Sequence, residues 1–537
     1  MAPASLAATP PQLRPDVGRE VRDTSRPTSP TAPWRVVFAS SLGTVFEWYD
    51  FYLYGALAVF FGGLFFPKGN ETAALLASLA TFGAGFAVRP FGALIFGRSG
   101  DMRGRKYTFL VTIVLMGLST ALVGLLPTYE QIGILAPVAL VALRLVQGLA
   151  LGGEYGGAAT YVAEHAPHGR RGLHTSWIQT TATLGFLLAL SVILATRHLV
   201  GEAAFRAWGW RIPFLGSAVL LVVSAYVRYR LRESPLFADL QARGRTSRHP
   251  VSESFGRWGN LRVVLLALFG LTAGQGVVWY TGQFYALLFL QNTLKVPYEL
   301  TYALVAGGLL VGTPLFIAFG ALSDRIGRKK LMMAGCFLAA VSYLPIFRAL
   351  SAAANPALVA AAERTPVVVF STVRADPSAA YLTRRGVPYT RQGAVPGAPV
   401  ISVGGRPIAL FDTVAYARAL DAAGYPRSAD PARVDRPRVV ALLALLMVYV
   451  CMVYGPIAAY LTELFPTRIR YTSLSLPYHI GNGWFGGFLP LIAEARVVAT
   501  GDQYAGLAYP IGVALVTAVV GSALLRETRT VDLSERD

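Results

Sequence analysis

Charged residues are scarce in this chain. Of its 537 residues, 14% are Asp, Glu, Lys or Arg, whereas 54% are hydrophobic. A soluble domain carries about 25% charged residues. The composition therefore excludes an ordinary soluble protein and predicts an integral membrane protein surrounded by a lipid bilayer.

Cysteine is also nearly absent. The chain has two cysteines, Cys336 and Cys451, and each lies within an apolar run. Two such thiols exclude a disulfide framework and a metal site, so we interpret them as small packing residues. The sequence shows neither a nucleophile–base pair nor metal-ligand spacing. We therefore expect a protein that is not an enzyme and that holds no metal and no cofactor.

Acidic residues are few beside the basic ones, with 29 Asp and Glu against 48 Lys and Arg. Such a balance often marks a protein that binds nucleic acid. In a membrane protein, the preference of basic residues for short cytoplasmic loops and anionic lipid explains it more simply. No nucleic-acid partner is expected.

Apolar runs long enough to cross a bilayer, about 20 residues each, fall into two sets of six. The runs are 36–63, 72–98, 107–126, 132–163, 172–197 and 210–231, then 261–291, 299–322, 330–350, 438–462, 472–495 and 504–526. A basic linker at 232–260 separates the sets, and residues 1–34, rich in Pro, Ser and Thr, are expected to form a disordered cytoplasmic tail. The prediction is an all-α membrane protein with twelve transmembrane helices in two six-helix bundles, at 35–231 and at 261–350 with 438–530.

The two sets carry the same polar segments. Gly97–Lys106 and Gly320–Lys329 share the spacing of two glycines and an aspartate. Glu164–Arg171 and Glu463–Arg470 both place a proline and two arginines after the glutamate. Repeated halves in a membrane protein indicate a transporter whose binding site lies between them.

These repeated segments predict a gate on the cytoplasmic face. An Asp at a helix end can accept from backbone N–H groups and a guanidinium of a neighbouring helix, and such a clamp can close in one state and break in another. The alternative is that the segments only anchor loops by positive charge; their shared spacing favours the clamp. The predicted gate is Gly97, Asp101, Gly104, Arg105, Gly320, Asp324, Arg325, Gly327 and Arg328, with a second layer of Glu164 beside Arg170 and Arg171 and of Glu463 beside Arg468 and Arg470.

Residues 351–437 form an insert between the ninth and tenth helices. Positive charge in the short loops places both termini and the linker in the cytoplasm, so the insert is expected in the periplasm. Val367–Phe370, Val400–Val403 and Arg406–Ile408 have strand patterns, and Asp412 precedes a helical one, which predicts a small αβ unit. A tolerated surface insertion is the simpler role; a lid that collects substrate is the alternative.

Several motifs resemble a known family. Gly97–Lys106 and Gly320–Lys329 look like the signature loop of the Major Facilitator Superfamily, although Met102-Arg103 departs from its usual Arg-x and leaves Arg103 or Arg105 as the first clamp cation. Six further segments resemble its metabolite:H⁺ symporter family, which includes permeases for shikimate, 2-oxoglutarate, citrate and proline or betaine. They are Phe46–Phe51, Arg89–Gly92, Arg144–Glu154, Trp210–Phe214, Glu233–Pro235 and Glu463–Arg468. The resemblance covers about 35–530 apart from the insert, and it implies twelve helices in two bundles and proton-driven uptake.

Ionisable residues lie at membrane depth in the first half. There a charge costs about 2.5–3.5 kcal/mol unless it pairs or faces a cavity. We hypothesise that Asp50, Glu47 or Glu154 carries a proton and that Arg89 or Arg144, with Gln147 beside it, binds an anionic substrate. The alternative is a structural ion-pair network that fixes the register of the helices.

The second half offers polar and aromatic candidates for substrate contact. Gln275, Trp279 and Gln283 recur every four residues beside Tyr280, so they form one stripe on the seventh helix. A cavity wall needs such groups, although ordinary helix packing explains them equally well. The eleventh helix adds His479 and Asn482. His479 could titrate near neutral pH, but we favour a histidine hydrogen-bonded between helices.

The expected function is proton-coupled uptake of a small organic acid or zwitterionic metabolite across the inner membrane by alternating access, by a monomer. Two alternatives stay open. An exporter of toxic or amphipathic compounds would need a more apolar cavity, which the charged residues of the first half disfavour. A sensor that has lost transport would use residues 351–437 to bind a ligand or partner.

Overall fold

The computed structural model describes residues 33–67, 69, 71–229, 238, 241–244, 246–371, 373, 376–393 and 400–533. The tail expected at 1–34 therefore lies almost wholly outside the described residues, as does the motif Glu233–Pro235.

In the described part of the chain, twelve helical spans follow one another in two sets. The first set is span 1 (Pro33–Ala56 and Ala58–Phe65), span 2 (Glu71–Ala87 and Arg89–Arg103), span 3 (Arg105–Leu125), span 4 (Leu135–Gly152 and Tyr155–His165), span 5 (Arg171–Val200) and span 6 (Arg211–Tyr229). The second set is span 7 (Trp258–Ala267, Ala273–Tyr280 and Ala286–Leu288, with π-helical Leu268–Thr272, Thr281–Tyr285 and Phe289–Thr293), span 8 (Tyr298–Ile326), span 9 (Arg328–Ala354), span 10 (Arg436–Tyr454 and Ile457–Leu464), span 11 (Arg470–Ile480 and Leu489–Thr500, joined by π-helical Gly481–Gly486) and span 12 (Ala508–Leu524). Short helical segments in the connections are Tyr129–Ile132, Glu202–Ala204, Phe205–Gly209, Pro250–Phe255, Thr467–Ile469 and Ala505–Leu507.

Hydropathy alone identifies fewer membrane spans than the repeated pattern of helices does. In the described part of the chain, eight helical stretches are long and apolar enough to cross a membrane, and the bent pair Glu202–Gly209 with Arg211–Tyr226 makes a ninth. Spans 1, 3 and 11 fall outside that count. Span 1 carries Asp50, span 3 begins with Arg105, and span 11 is broken at Gly481–Gly486. These spans are identified by their place in the repeated six-helix pattern.

The repeated polar segments are mostly helical, whereas the sequence predicted tight loops. Asp101 lies inside Arg89–Arg103 and Asp324 inside Tyr298–Ile326. A helix can extend beyond the hydrocarbon into water, so polarity marks the end of the apolar run and not the end of the helix. Only Gly104 and Gly327 interrupt the helices, with φ angles of 108° and 105° that favour glycine.

The insert between spans 9 and 10 is a folded αβ unit. Its strands are β1 (Val367–Phe370), β2 (Thr390–Gln392), β3 (Ile401–Val403) and β4 (Arg406–Ile408), in the order β2-β1-β3-β4. The β1–β2 pair is parallel, and the β1–β3 and β3–β4 pairs are antiparallel. Helices Pro356–Arg364, Pro377–Arg385 and Thr413–Ala422 accompany the sheet.

Polar side chains fix the helices of the insert. The Asp412 carboxylate accepts from the Val414 amide at 2.8 Å and so caps Thr413–Ala422. Asp421 in that helix accepts from Arg427 and Arg385 at 2.7 Å each. Those two guanidinium groups hold the pKa of the Asp421 carboxyl below its usual value.

The two halves of the molecule meet where span 2 contacts span 11 and span 5 contacts span 8. A Cβ added to Gly97 would lie 3.4 Å from Thr472 Cα, and one added to Gly320 would lie 2.4 Å from Ser176 Cβ. These contacts bring the halves together on one side of the molecule. We call the side that contains Gly104 and Gly327 the signature-loop face, and the opposite side the insert face.

Candidate functional site

Two arginine side chains meet around one aromatic ring inside the first half. Arg89 of span 2 and Arg144 of span 4 are both 0% exposed. Their guanidinium carbons each lie 4.3 Å from the centroid of the Phe51 ring. A desolvated cation–π contact is worth about 2 kcal/mol, so Phe51 stabilises two charges that lie away from water.

Neither arginine forms an ion pair within the part of the chain that the structure describes. All three guanidinium nitrogens of Arg89, and Nε and Nη2 of Arg144, have no hydrogen-bond partner there. A buried donor without a partner costs about 1–3 kcal/mol, and more when it is charged. These donors suit an anionic ligand, and the ion-pair network considered from the sequence does not include Arg89 or Arg144.

Glycines let the two arginines come close. Spans 2 and 4 cross with their backbones in contact, because a Cβ added to Gly148 would lie 1.8 Å from Gly85 O and one added to Gly152 would lie 2.2 Å from Arg89 O. Only hydrogen fits at these positions. Small residues at helix crossings are typical of membrane proteins, and here they position both guanidinium groups.

A chain of polar side chains runs between Asp50 and Arg144. The Thr120 and Ser217 hydroxyls lie near the Asp50 carboxyl group, although Asp50 Oδ1 and Ser217 Oγ have no hydrogen-bond partner among the described residues. Gln147 Nε2 donates to Thr120 Oγ1 at 2.9 Å, and Arg144 Nη1 donates to Gln147 Oε1 at 2.6 Å. Side chains of spans 1, 3 and 4 thus lie in a row between a buried carboxyl and a buried guanidinium, and we call this row (Asp50, Thr120, Gln147 and Arg144) the Asp50–Arg144 relay.

The other two proton-carrier candidates lie near the contact of spans 1 and 4. Glu47 is 4% exposed and Glu154 is 3% exposed. Thr44 donates to Glu154 Oε1 at 3.2 Å. Neither glutamate is part of the Asp50–Arg144 relay.

The stripe predicted on span 7 faces the first half. Trp279 stacks on Tyr52, with ring centroids 5.5 Å apart, and Tyr280 packs edge-on against Phe86 at 5.3 Å. The Arg89 guanidinium lies 3.9 Å from the centroid of Phe86. Packing within the second bundle alone does not account for these contacts, since the stripe lines the plane between the halves.

The predicted amide side chains are already paired. Gln275 and Asn482 exchange two hydrogen bonds of 3.1 and 2.8 Å between spans 7 and 11. Gln283 donates to Thr183 at 3.1 Å and so joins span 7 to span 5 of the other half. Direct substrate contact by these amides requires the existing bonds to exchange.

His479 differs from its favoured expectation. Its ring is 1% exposed, and neither nitrogen has a hydrogen-bond partner among the described residues. It packs edge-on against Tyr478 at 5.2 Å. The expectation of a histidine hydrogen-bonded between helices is therefore wrong for the described residues.

The two repeated aspartates clamp opposite halves together. Asp101 of the first half accepts from the Thr472 amide at 3.1 Å and from its hydroxyl at 2.6 Å. Asp324 of the second half accepts from the Gly172 and Leu173 amides at 2.8 and 2.9 Å. Each carboxylate therefore sits at the amino end of a helix in the other half, where the helix dipole favours negative charge.

The second layer of the gate pairs differently from the prediction. Glu164 pairs with Arg470 at 3.0 Å, and Glu463 pairs with Arg328 at 2.8 Å and with Arg171 at 3.4 Å. The sequence predicted pairs within each segment. The repeat places equivalent helix ends side by side across the molecule, so two of the three pairs cross between the halves.

Three arginines of the predicted gate have other surroundings. Arg170 and Arg325 have exposed side chains, and Arg468 pairs with Glu253 of the linker at 2.9 Å. In each pair, the arginine that begins the helix, Arg171 or Arg470, faces the interface, and the preceding one, Arg170 or Arg468, faces solvent. The Arg105 side chain lies outside the described residues.

The carboxyl-terminal segment completes this closure, and the sequence did not predict it. Glu527 accepts from the Arg328 and Lys329 amides at 3.0 and 3.1 Å, and Thr528 donates to Glu463 at 2.7 Å. Arg171 donates to the Val531 carbonyl at 2.5 Å. The signal in the sequence was Glu527, an acidic residue just after the last apolar run, because an acidic side chain is favoured at the start of a helix.

A cavity of about 810 Å³ lies on the insert face. None of the predicted site residues lines it. Phe284 of span 7 contacts Gly55 beside the cavity residue Ala56, and it stacks on Phe82 of span 2 at 4.9 Å. Phe82 in turn lies 5.5 Å from the Arg144 guanidinium carbon, measured to the ring centroid.

Comparison with known proteins places this geometry among transporters. The family model described as "Sugar (and other) transporter" matches residues 36–249. The chain is 39% identical over 323 residues to the alpha-ketoglutarate permease of Escherichia coli strain K12, which covers 60% of this chain and 73% of the permease. It is 38% identical over 333 residues to the inner membrane metabolite transport protein YhjE of the same strain, covering 60% and 74%.

A solved structure shares the fold. The proton:xylose symporter XylE, of the major facilitator superfamily, superimposes with a TM-score of 0.65 over 94% of this chain and 98% of that protein. The two sequences are 16% identical, so this likeness concerns the architecture only.

Proposed function

The chain belongs to the major facilitator superfamily of multi-pass membrane transporters, and from that premise we propose that it takes up a small organic acid or zwitterionic metabolite together with protons. The predicted inner-membrane location, the direction of transport and the proton coupling are parts of this proposal. Alternating access between the two halves would carry the substrate from the insert face to the signature-loop face.

The observation that carries the proposal is the pair of buried guanidinium groups around Phe51. A substrate carboxylate would accept from the nitrogens of Arg89 and Arg144 that have no partner in the described chain. A quaternary ammonium group of a zwitterion could bind to the rings of Tyr52 and Trp279 if these two rings separated from their present stack. The same site therefore accommodates either class.

The Asp50–Arg144 relay supports proton coupling. A carboxylate bound to Nε and Nη2 of Arg144 would shift the guanidinium and so change its Nη1 bond to Gln147, and with it the bond from Gln147 to Thr120. A change of hydrogen bonding beside a buried carboxyl alters its proton affinity. Proton uptake by Asp50 would thus depend on whether an anion occupies the arginine site.

The crossed contacts of the signature-loop face support alternating access. Asp101, Asp324 and Glu164 each hold a group of the opposite half. Rocking the halves apart on this face would break all of these contacts together and open the arginine site toward the signature-loop face.

Uptake into proteoliposomes with an imposed pH gradient, inside alkaline, tests the proposal. Asp50→Asn should abolish accumulation of labelled alpha-ketoglutarate or glycine betaine above the external concentration, while exchange of substrate at equal concentrations continues. Glu47→Gln, one helical turn away, is the matched variant and should still accumulate substrate. Accumulation by the Asp50→Asn protein equal to that of the wild type would contradict the role of Asp50, and accumulation independent of pH would contradict symport.

A further inference from the structure

A groove of about 420 Å³ lies between spans 2 and 3 at the signature-loop face. Each of the two spans has an exposed apolar stripe that leads to it. The stripe of span 2 includes Phe91 and Ile95, and that of span 3 includes Val114 and Leu118. In a protein surrounded by lipid, exposed apolar surface of this kind contacts acyl chains. The groove therefore opens toward the bilayer, and we call it the span 2–3 groove.

The lining of the groove changes from apolar to basic toward the ends of the helices. Ile95 of span 2 and Val111 of span 3 line its apolar part. Arg98 and Arg103, nearer to the interruption at Gly104, line the other part, and both are exposed. No acidic side chain is among the described residues of the lining. The groove therefore joins an apolar surface to two positive charges.

The two arginines are not part of the gate. Neither Arg98 nor Arg103 forms a hydrogen bond or an ion pair through its side chain within the described chain. Counted from the two repeated aspartates, the equivalent positions of the second half are Ala321 and Ile326. Asp324 thus contacts the first half without a basic residue at either position. Both guanidinium groups are therefore available for a ligand.

We propose that the span 2–3 groove binds an anionic phospholipid from the leaflet at the signature-loop face. The phosphate accepts from Arg98 and Arg103, because a guanidinium group matches the geometry of phosphate oxygens. One acyl chain covers Ile95 and Val111. Basic pockets between transmembrane helices bind lipid headgroups by the same attraction. This inference concerns the membrane around the protein and goes beyond the proposed transport.

A phospholipid fits both parts of the groove. Free phosphate would contact the arginines and leave the apolar part uncovered. A zwitterionic phospholipid carries a positive amine beside its phosphate, and this amine weakens the attraction of the headgroup to two guanidinium groups. The charges of the groove therefore select an anionic headgroup.

Protection of a thiol measures occupation of the groove in the purified protein. Ser99 lines the groove and is partly exposed, so Ser99→Cys places a probe there, whereas Cys336 and Cys451 are buried. The rate of maleimide labelling in detergent is measured against increasing dioleoyl phosphatidylglycerol, and separately against dioleoyl phosphatidylcholine. We expect phosphatidylglycerol to slow labelling with an apparent Kd about tenfold lower than that of phosphatidylcholine, and the difference to shrink as salt screens the charges.

Arg98→Gln together with Arg103→Gln should raise the apparent Kd for phosphatidylglycerol about tenfold. Arg257→Gln together with Arg262→Gln is the matched control, because it removes two exposed arginines with the same spacing at the start of span 7, and it should leave the Kd unchanged. Arg98→Lys together with Arg103→Lys keeps both charges and should retain most of the protection. Each protein should melt at the wild-type temperature without added lipid, since the substituted side chains are exposed.

Equal protection by the two lipids, or an equal rise in Kd for the two pairs of glutamine variants, would overturn the lipid site. Inorganic phosphate that protects the Ser99→Cys protein as well as phosphatidylglycerol does would also overturn it, because the groove would then bind the phosphate group without a lipid. None of these measurements requires transport, so the proposed uptake can succeed or fail separately.

Discussion

Thr120 has the central position among the single residues of the Asp50–Arg144 relay. Its hydroxyl has one hydrogen but lies 3.0 Å from the Met116 carbonyl as well as beside Asp50. While Thr120 donates to Met116, only a protonated Asp50 can donate to the Thr120 oxygen; an ionised Asp50 needs the hydroxyl to turn toward it. In the proposed mechanism, the orientation of the Thr120 hydroxyl would therefore link the protonation of Asp50 to the hydrogen bonding of Gln147.

Thr120→Val should therefore uncouple transport without removing a charge. The accumulation ratio in a pH gradient should fall about tenfold, equivalent to about 1.4 kcal/mol, while exchange changes less than about threefold. Thr313→Val is the control, because the Thr313 hydroxyl also donates to a carbonyl one turn back, Leu309 O at 2.7 Å, but lies outside the relay. Accumulation by Thr120→Val at the wild-type level would show that the relay does not couple proton and substrate.

The sequence drew attention to the charged residues of the candidate site but not to the residues between them. Asp50, Arg89 and Arg144 stand out because charge is rare in a lipid-embedded helix. Phe51 and Thr120 do not, since an aromatic residue and a back-bonding threonine are ordinary in such helices. What distinguishes Phe51 and Thr120 from other aromatic residues and threonines in the helices is their side-chain contact with spans that are distant in the sequence.

Among the elements, the crossing of spans 2 and 4 positions the arginine site. Gly148→Ala would press a methyl group against the Gly85 carbonyl, which cannot move as a side chain can. Overpacking costs about 1–3 kcal/mol, so the variant should melt at a lower temperature in detergent and lose uptake. Gly216→Ala is the matched control, since nothing lies within 4 Å of a Cβ at that position. Equal melting temperatures for the two variants would contradict the backbone contact.

Elements whose apolar residues recur at a regular spacing could be predicted from the sequence, whereas short polar elements could not. Strands β1, β3 and β4 have alternating or apolar patterns, whereas β2 is the polar tripeptide Thr390–Gln392. Helices Pro356–Arg364 and Pro377–Arg385 follow Asn355 and Asp376, whose side chains cap them. A capping residue directly before proline was the signal that could have located both.

At the scale of the whole molecule, the crossed contacts hold the two halves together on the signature-loop face. Glu164 and Arg470 are both buried where they pair, and removing one partner of such a pair costs about 3–5 kcal/mol. That cost falls on the state in which the signature-loop face is closed. A weakened pair should therefore shift the population toward the state open on this face.

Glu164→Gln should speed labelling of an introduced cysteine at Ser475, a buried position against Gly156 between the halves. We expect an increase of at least tenfold in the labelling rate, because opening exposes this position. Asp430→Asn is the control; its exposed pair with Arg433 contributes at most about 1 kcal/mol. A labelling rate unchanged by Glu164→Gln would mean that this pair does not hold the face shut.

Spans 9 and 10 lie side by side where the insert leaves them, since the Asp435 amide donates to Ala353 O at 2.9 Å. The two ends of the insert are therefore adjacent, so the packing of the membrane spans does not depend on the length of the segment between them. A fluorescent domain that replaces residues 356–435 would be attached to the second half of the molecule alone. Its distance to a dye on the first half would then follow each transport cycle in a single molecule.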